Sequence, residues 1–204
     1  MKLNNTKRLV ILAMFCAIMA VMAVTNIGII PLGFMNATTL HIPVILCAVL
    51  LGPKEGIFAG FLFGVISMLT ATFRPSVTSF LFSPFYQSEF GNPLYSIFIC
   101  FIPRMLIGVV AGYSYQWFQK TKMNDPLSLG ITGFLGSMTN TVFVMGGVYL
   151  LFGEAYASIN EIAVGALGGV IGTVVLTNGV PEAVIASILT IAIGKPIQNY
   201  LRKR

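Results

Sequence analysis

Six apolar runs, parted by short polar segments, make up most of the chain: residues 9–30, 40–51, 57–72, 94–118, 127–152 and 162–194. A helix that crosses the hydrocarbon core of a bilayer needs about 20 mostly apolar residues. All but the second run meet or approach that length. The second is short, so it is expected to borrow loop residues or to be partly re-entrant. Pro31 and Gly33 open a loop that continues through Asn36, Thr38 and Thr39. Gly52-Pro53-Lys54-Glu55-Gly56 predicts a turn by its Gly and Pro content. Residues 153–161 are read as a further loop. The last run is long for one span and holds Thr177-Asn178-Gly179-Val180-Pro181-Glu182 at its middle. Proline removes a backbone donor and disfavours helix at the residue before it. A break is therefore expected there, with Glu182 in the turn that restarts the helix. The pattern predicts an all-α polytopic membrane protein with six transmembrane helices, the sixth interrupted.

Residues 73–93 break the pattern, reading FRPSVTSFLFSPFYQSEFGNP. The stretch is too polar to span and too aromatic for an ordinary solvated loop. Loops this long in compact proteins are usually functional or disordered, and the aromatic content argues against disorder.

Charge fixes the expected orientation. Lys2, Lys7 and Arg8 precede the first run; Lys54 follows the second; Lys120 and Lys122 follow the fourth; Lys195, Arg202, Lys203 and Arg204 close the chain. The alternate loops hold Arg74 against Glu89, Glu154 and Glu161. Cytoplasmic loops collect Lys and Arg, so both termini are expected inside. Tyr115 and Trp117 suit the inner interface of the fourth span.

Composition agrees. The 204 residues are 56% hydrophobic and 9% charged, with a mean hydropathy of +0.89, where a soluble domain carries about 25% charge. One domain, residues 1–204, is expected. A net charge of +6 could suit nucleic acid, but no basic stripe with interleaved aromatics is present. The basic residues lie instead beside acidic lipid head groups. Cys16, Cys47 and Cys100 sit inside apolar runs without metal-ligand spacing, and read as small buried side chains. The basic start followed by an apolar stretch resembles a signal peptide, but the stretch is too long for one. It reads as a retained first helix.

Three ionisable residues fall within or beside the apolar runs: His41, Arg104 and Glu182. Such a charge costs about 2.5–3.5 kcal/mol at mid-bilayer on insertion scales, so it marks function by default. Arg104 has two readings, a structural pair with Glu182 or a fork for a ligand carboxylate. His41 reads as a capping or interfacial residue. Asn178 reads as an N-cap beside the Pro break, and Asn140 as interhelical glue. With Arg104 the two asparagines make a candidate polar pocket. Ala13 and Ala17, four apart, would let another helix approach closely. The chain has one His and one Asp, no paired aspartates and no phosphate-binding loop. It is not expected to be an enzyme, and uphill transport would need a partner or a coupled ion. A stand-alone secondary transporter or channel, with Arg104 and Glu182 as a proton-linked pair, is the alternative.

Several stretches carry a family resemblance: HIPVILCAVLLGPKEGIFAGFLFGVISML (41–69), SFLFSPF (79–85), PRMLIGVVAG (103–112), LGSMTNTVFVMGGVYLLFG (135–153) and TNGVPEAVIAS (177–187). The chain resembles the S-components, the substrate-binding subunits of energy-coupling factor (ECF) vitamin transporters. NATTLHIP (36–43), TFRPSVTSFLFSPF (72–85) and FIPRMLIGVVAG (101–112) look most like the pantothenate-specific members. The resemblance implies a six-helix protein of the prokaryotic cell membrane that binds one vitamin near the outer face, without a cofactor. Loops after the first, third and fifth spans would cover the site. The loaded protein would dock on a membrane T-component with two ATPases, then topple to release substrate inside. Ala13 and Ala17 match the family's docking pattern. Candidate substrate contacts, taken from position, are Asn36, Thr38, Arg74, Ser79, Phe82, Tyr86, Arg104, Asn140 and Asn178. Riboflavin, folate or a thiamine precursor is the alternative ligand.

Overall fold

The computed structural model describes the backbone of residues 4–25, 29–31, 36–86 and 92–202, and the side chains of 4–25, 39–86 and 92–201. Helix α1 spans Asn5–Thr25, and a two-stranded antiparallel hairpin follows, β1 (Ile29–Pro31) with β2 (Asn36–Thr38). Then come α2 (His41–Leu51), α3 (Pro53–Phe73), α4 (Pro93–Lys120), α5 (Asp125–Ile159), α6 (Leu167–Val174) and α7 (Val180–Arg202). The register pairs Ile29 with Thr38 and Pro31 with Asn36.

Among the described residues, five helical stretches are long and apolar enough to cross a membrane, the last running through α6 and α7. Their outward faces carry large apolar side chains, among them Leu9, Val24, Leu150 and Leu176. The protein is a multi-pass membrane protein. The second run is the exception the sequence foretold. Helix α2 has 11 residues, about 16 Å of rise, which is roughly half a hydrocarbon core. Every one of its residues is buried, so α2 is a central post rather than a lipid-facing span.

The predicted turn at 52–56 shrinks to one residue. Gly52 alone leaves helical geometry, at φ 116°, a conformation that only glycine adopts cheaply. Pro53 is the first residue of α3, where its missing N–H costs nothing. Lys54 and Glu55 are already helical. The loop expected over 153–161 is also mostly helix. Helix α5 bends at Phe152 (φ −128°, ψ 15°) and continues to Ile159.

The expected break near Pro181 does not occur. A π turn over Val175–Gly179 joins α6 to α7 without interruption. A proline ring clashes with the carbonyl four residues back, here Thr177. The wider π turn encloses that carbonyl, and such bulges absorb an irregularity inside a helix. Asn178 lies within the turn and caps nothing.

Helices α3 and α4 pack backbone to backbone. Gly56, Gly60 and Gly64 of α3 meet Gly108, Arg104 and Cys100 of α4, and a Cβ at any of the three glycines would overlap its neighbour. Glycine four apart permits such approach, and it sets Arg104 at the level of Gly60. Two apolar cores follow. One surrounds α2, with Met19, Ile45, Phe63, Ile107 and Leu129. The other joins Phe80 and Leu81 to Ile99, Val148, Phe152 and Leu167. The aromatic loop thus contributes to a core, which explains its composition.

Candidate functional site

Arg104 is the most deeply buried arginine among the described residues, with 6% of its surface exposed. Pro103 precedes it within α4 and cannot donate to the carbonyl of Ile99, four residues back. Nη1 of Arg104 donates to that carbonyl at 2.5 Å. The guanidinium carbon lies 4.9 Å from the ring centre of Phe82 and 5.4 Å from that of Phe63, both in cation–π range. Among the described residues Nε has no hydrogen-bond partner, and no carboxylate lies within ion-pair distance of Arg104. A buried cation walled by aromatics, with a donor left over, is suited to an anion.

The Arg104–Glu182 pair is not formed. Glu182 meets His41 instead, with Oε1 3.2 Å from Nδ1. His41 is fully buried at the start of α2, so it is neither an interfacial residue nor a cap. Asn140 of α5 is 9% exposed, and its Oδ1 has no partner among the described residues. Ile99 packs at the Gly147 position and Ala111 at the Gly136 position. This antiparallel register sets Asn140 within about one turn of Arg104 along the helix axis.

The loop after α3 closes on this region from 3-10 turns at Ser79–Leu81 and Pro84–Tyr86. Ser79 is buried and accepts from the Ser76 amide at 2.7 Å. Ser83 and Thr72 share a hydrogen bond of 2.8 Å, and Tyr86 donates to the Thr72 carbonyl at 3.1 Å. Phe80 meets Phe152 edge-on at 5.8 Å.

The family model for "ECF transporter, substrate-specific component" matches residues 7–194. The chain belongs to this family. Two curated relatives are similar over nearly their whole length. The "Pantothenic acid transporter PanT" of Lactococcus lactis subsp. cremoris (strain MG1363) is 37% identical, covering 95% of this chain and 94% of its own. The "Pantothenate transporter PanT" of Leuconostoc mesenteroides subsp. mesenteroides is 32% identical, covering 94% of this chain and 92% of its own.

In this substrate-specific component the expected contact residues do not all converge. Phe82 packs on the Arg104 guanidinium, and Asn140 stands near the Arg104 backbone by helix register alone. Arg74 caps the far end of α3, exposed, with Nη2 3.3 Å from the Val24 carbonyl. It stands about 20 Å from the Arg104 level along the α3 axis. Asn178 is half-buried and accepts from Thr177 at 3.4 Å. Asn36 and Thr38 belong to β2, but their side chains lie outside the described residues. Ala13 and Ala17 are exposed on α1, which turns Phe15 and Met19 to the core. The groove lined by Tyr149, Phe152, Glu154, Ser158 and Leu167, at the bend of α5, holds none of the expected residues. Sequence reasoning missed Phe63, Ser96 and Cys100. The four-residue period Ser96-Cys100-Arg104, one stripe of α4, was the available signal.

Proposed function

We propose that this substrate-specific component binds pantothenate, and that Arg104 holds its carboxylate. The buried guanidinium of Arg104, with no carboxylate at ion-pair distance among the described residues, carries the reading. The printed names of both relatives support the choice of vitamin. Pantothenate offers one carboxylate, an amide, two hydroxyls and a gem-dimethyl group. Phe82 and Phe63 would pack its apolar part, and the Asn140 amide would serve its polar groups. Asn36, Thr38, Ser79, Tyr86 and Asn178 remain candidates for the outer contacts. A riboflavin-type ring would stack on the same phenylalanines, so calorimetry of the detergent-purified protein should compare the two ligands. Binding of riboflavin in preference to pantothenate overturns the assignment. Native mass spectrometry gives an independent check through any retained small molecule.

The same reading supplies the partners, a T-component and two ATPases, since ECF transport needs an energy source. The exposed Ala13–Ala17 face of α1 is the proposed docking surface. Ala17→Trp is expected to reduce uptake in cells at least tenfold while changing pantothenate affinity less than twofold, because a bulky residue blocks helix approach without entering the pocket. A parallel fall in binding and uptake would show that this face does more than dock.

Orientation follows the basic clusters. A reporter fused after Lys122 is expected to be cytoplasmic, and one after Glu154 external. An external signal after Lys122 would overturn the inside placement of both termini.

A further inference from the structure

The stripe that ends in Arg104 also holds the loop that faces it. One turn above Arg104, Cys100 donates its thiol to the Phe82 carbonyl at 3.1 Å. One turn higher, Ser96 donates to the Phe80 carbonyl at 2.9 Å. Both side chains are fully buried. Residues four apart on a helix share a face, so these two donors and the guanidinium form one column beneath residues 80–82. The opposite edge of the loop is tied to α3 through Ser83 and Tyr86, both bonded at Thr72. Phe80 and Leu81 are sunk in the outer core.

The geometry points to Ser96 and Cys100 as positioning residues: they fix the 79–86 segment as a standing wall of the site, and so hold the Phe82 ring over Arg104. The inference rests on the Arg104 reading for its effect on pantothenate, but not for its effect on the loop. The Cys100 thiol holds the Phe82 backbone directly, and the Ser96 hydroxyl holds it two residues earlier, at Phe80. A loop tied along both edges does not swing as a unit, so the wall is in place before substrate arrives.

Hydrogen exchange of the full-length, detergent-purified protein without ligand tests the loop directly. Ser96→Ala is expected to speed exchange of the 79–83 amides by about three- to tenfold, the loss of one ordinary hydrogen bond, and Cys100→Ala by about twofold, because a thiol is a weaker donor. Cys100→Ser, which keeps a donor, is expected to restore wild-type exchange. With pantothenate, the off-rate should rise in the two alanine variants in the same order as the exchange. Unchanged exchange in both alanine variants, or no rescue by serine, overturns the inference. If exchange rises as stated but wild type fails to bind pantothenate, the ligand assignment falls and the wall stands.

Discussion

Arg104→Gln is expected to weaken pantothenate binding by about tenfold to a hundredfold. A hydrogen bond to a charged group contributes roughly 1.5–3 kcal/mol, and each 1.4 kcal/mol is about tenfold in affinity. Glutamine is a suitable probe because it removes the charge and keeps a neutral amide donor. It leaves no lone charge in the core, so the cost to folding is small beside the loss of binding. Arg74→Gln is the control: its distance from the Arg104 layer predicts a change below about twofold. An amide analogue of pantothenate, lacking the carboxylate charge, should bind wild type and Arg104→Gln about equally. Calorimetry with both ligands decides it. Full pantothenate affinity in Arg104→Gln would sink the carboxylate pairing.

What the sequence shows and what it hides divide along physical lines. Apolar length and aromatic content are additive properties of a segment, so the runs, the short second helix and the folded part of the loop at 73–86 are all legible. The continuity of the last helix is not. Pro181 reads locally as a breaker, but the outcome depends on whether neighbours hold the turn before it. Gly179 packs against Thr141 of α5, and the chain widens there instead of breaking. Partner choice is hidden for a similar reason. Arg104 and Glu182 are opposite charges near mid-span, and pairing them is the cheapest guess from one dimension. In the fold, α2 stands at the centre and brings His41 to Glu182. Pro103 turns Arg104 to its own helix. No periodicity encodes which helix occupies the middle. The α4 stripe of Ser96, Cys100 and Arg104 was visible as spacing, but its meaning waited on the loop that lies over it.

Glu182→Ala is expected to destabilise the protein by about 1–3 kcal/mol, the usual cost of leaving a buried polar group without its partner. His41 has no exposure to water, so the loss of the carboxylate cannot be repaid by solvation. The pair also joins α2, which cannot cross the membrane alone, to the first turn of α7 beyond the π turn. Thermal unfolding in detergent should show a large drop in midpoint for Glu182→Ala and for His41→Ala. The double change His41→Leu with Glu182→Met removes both polar groups at similar volume. It is expected to lie closer to wild type than either single change, because apolar packing can replace a buried pair at little net cost. A double variant as unstable as the sum of the singles would mean that each side chain is held by other contacts. The same measurement separates the two arginine readings. Arg104→Gln and Glu182→Gln share no contact, so their effects on stability are expected to add within about 0.5 kcal/mol. Strong coupling between them would restore the Arg104–Glu182 lock that the geometry rejects.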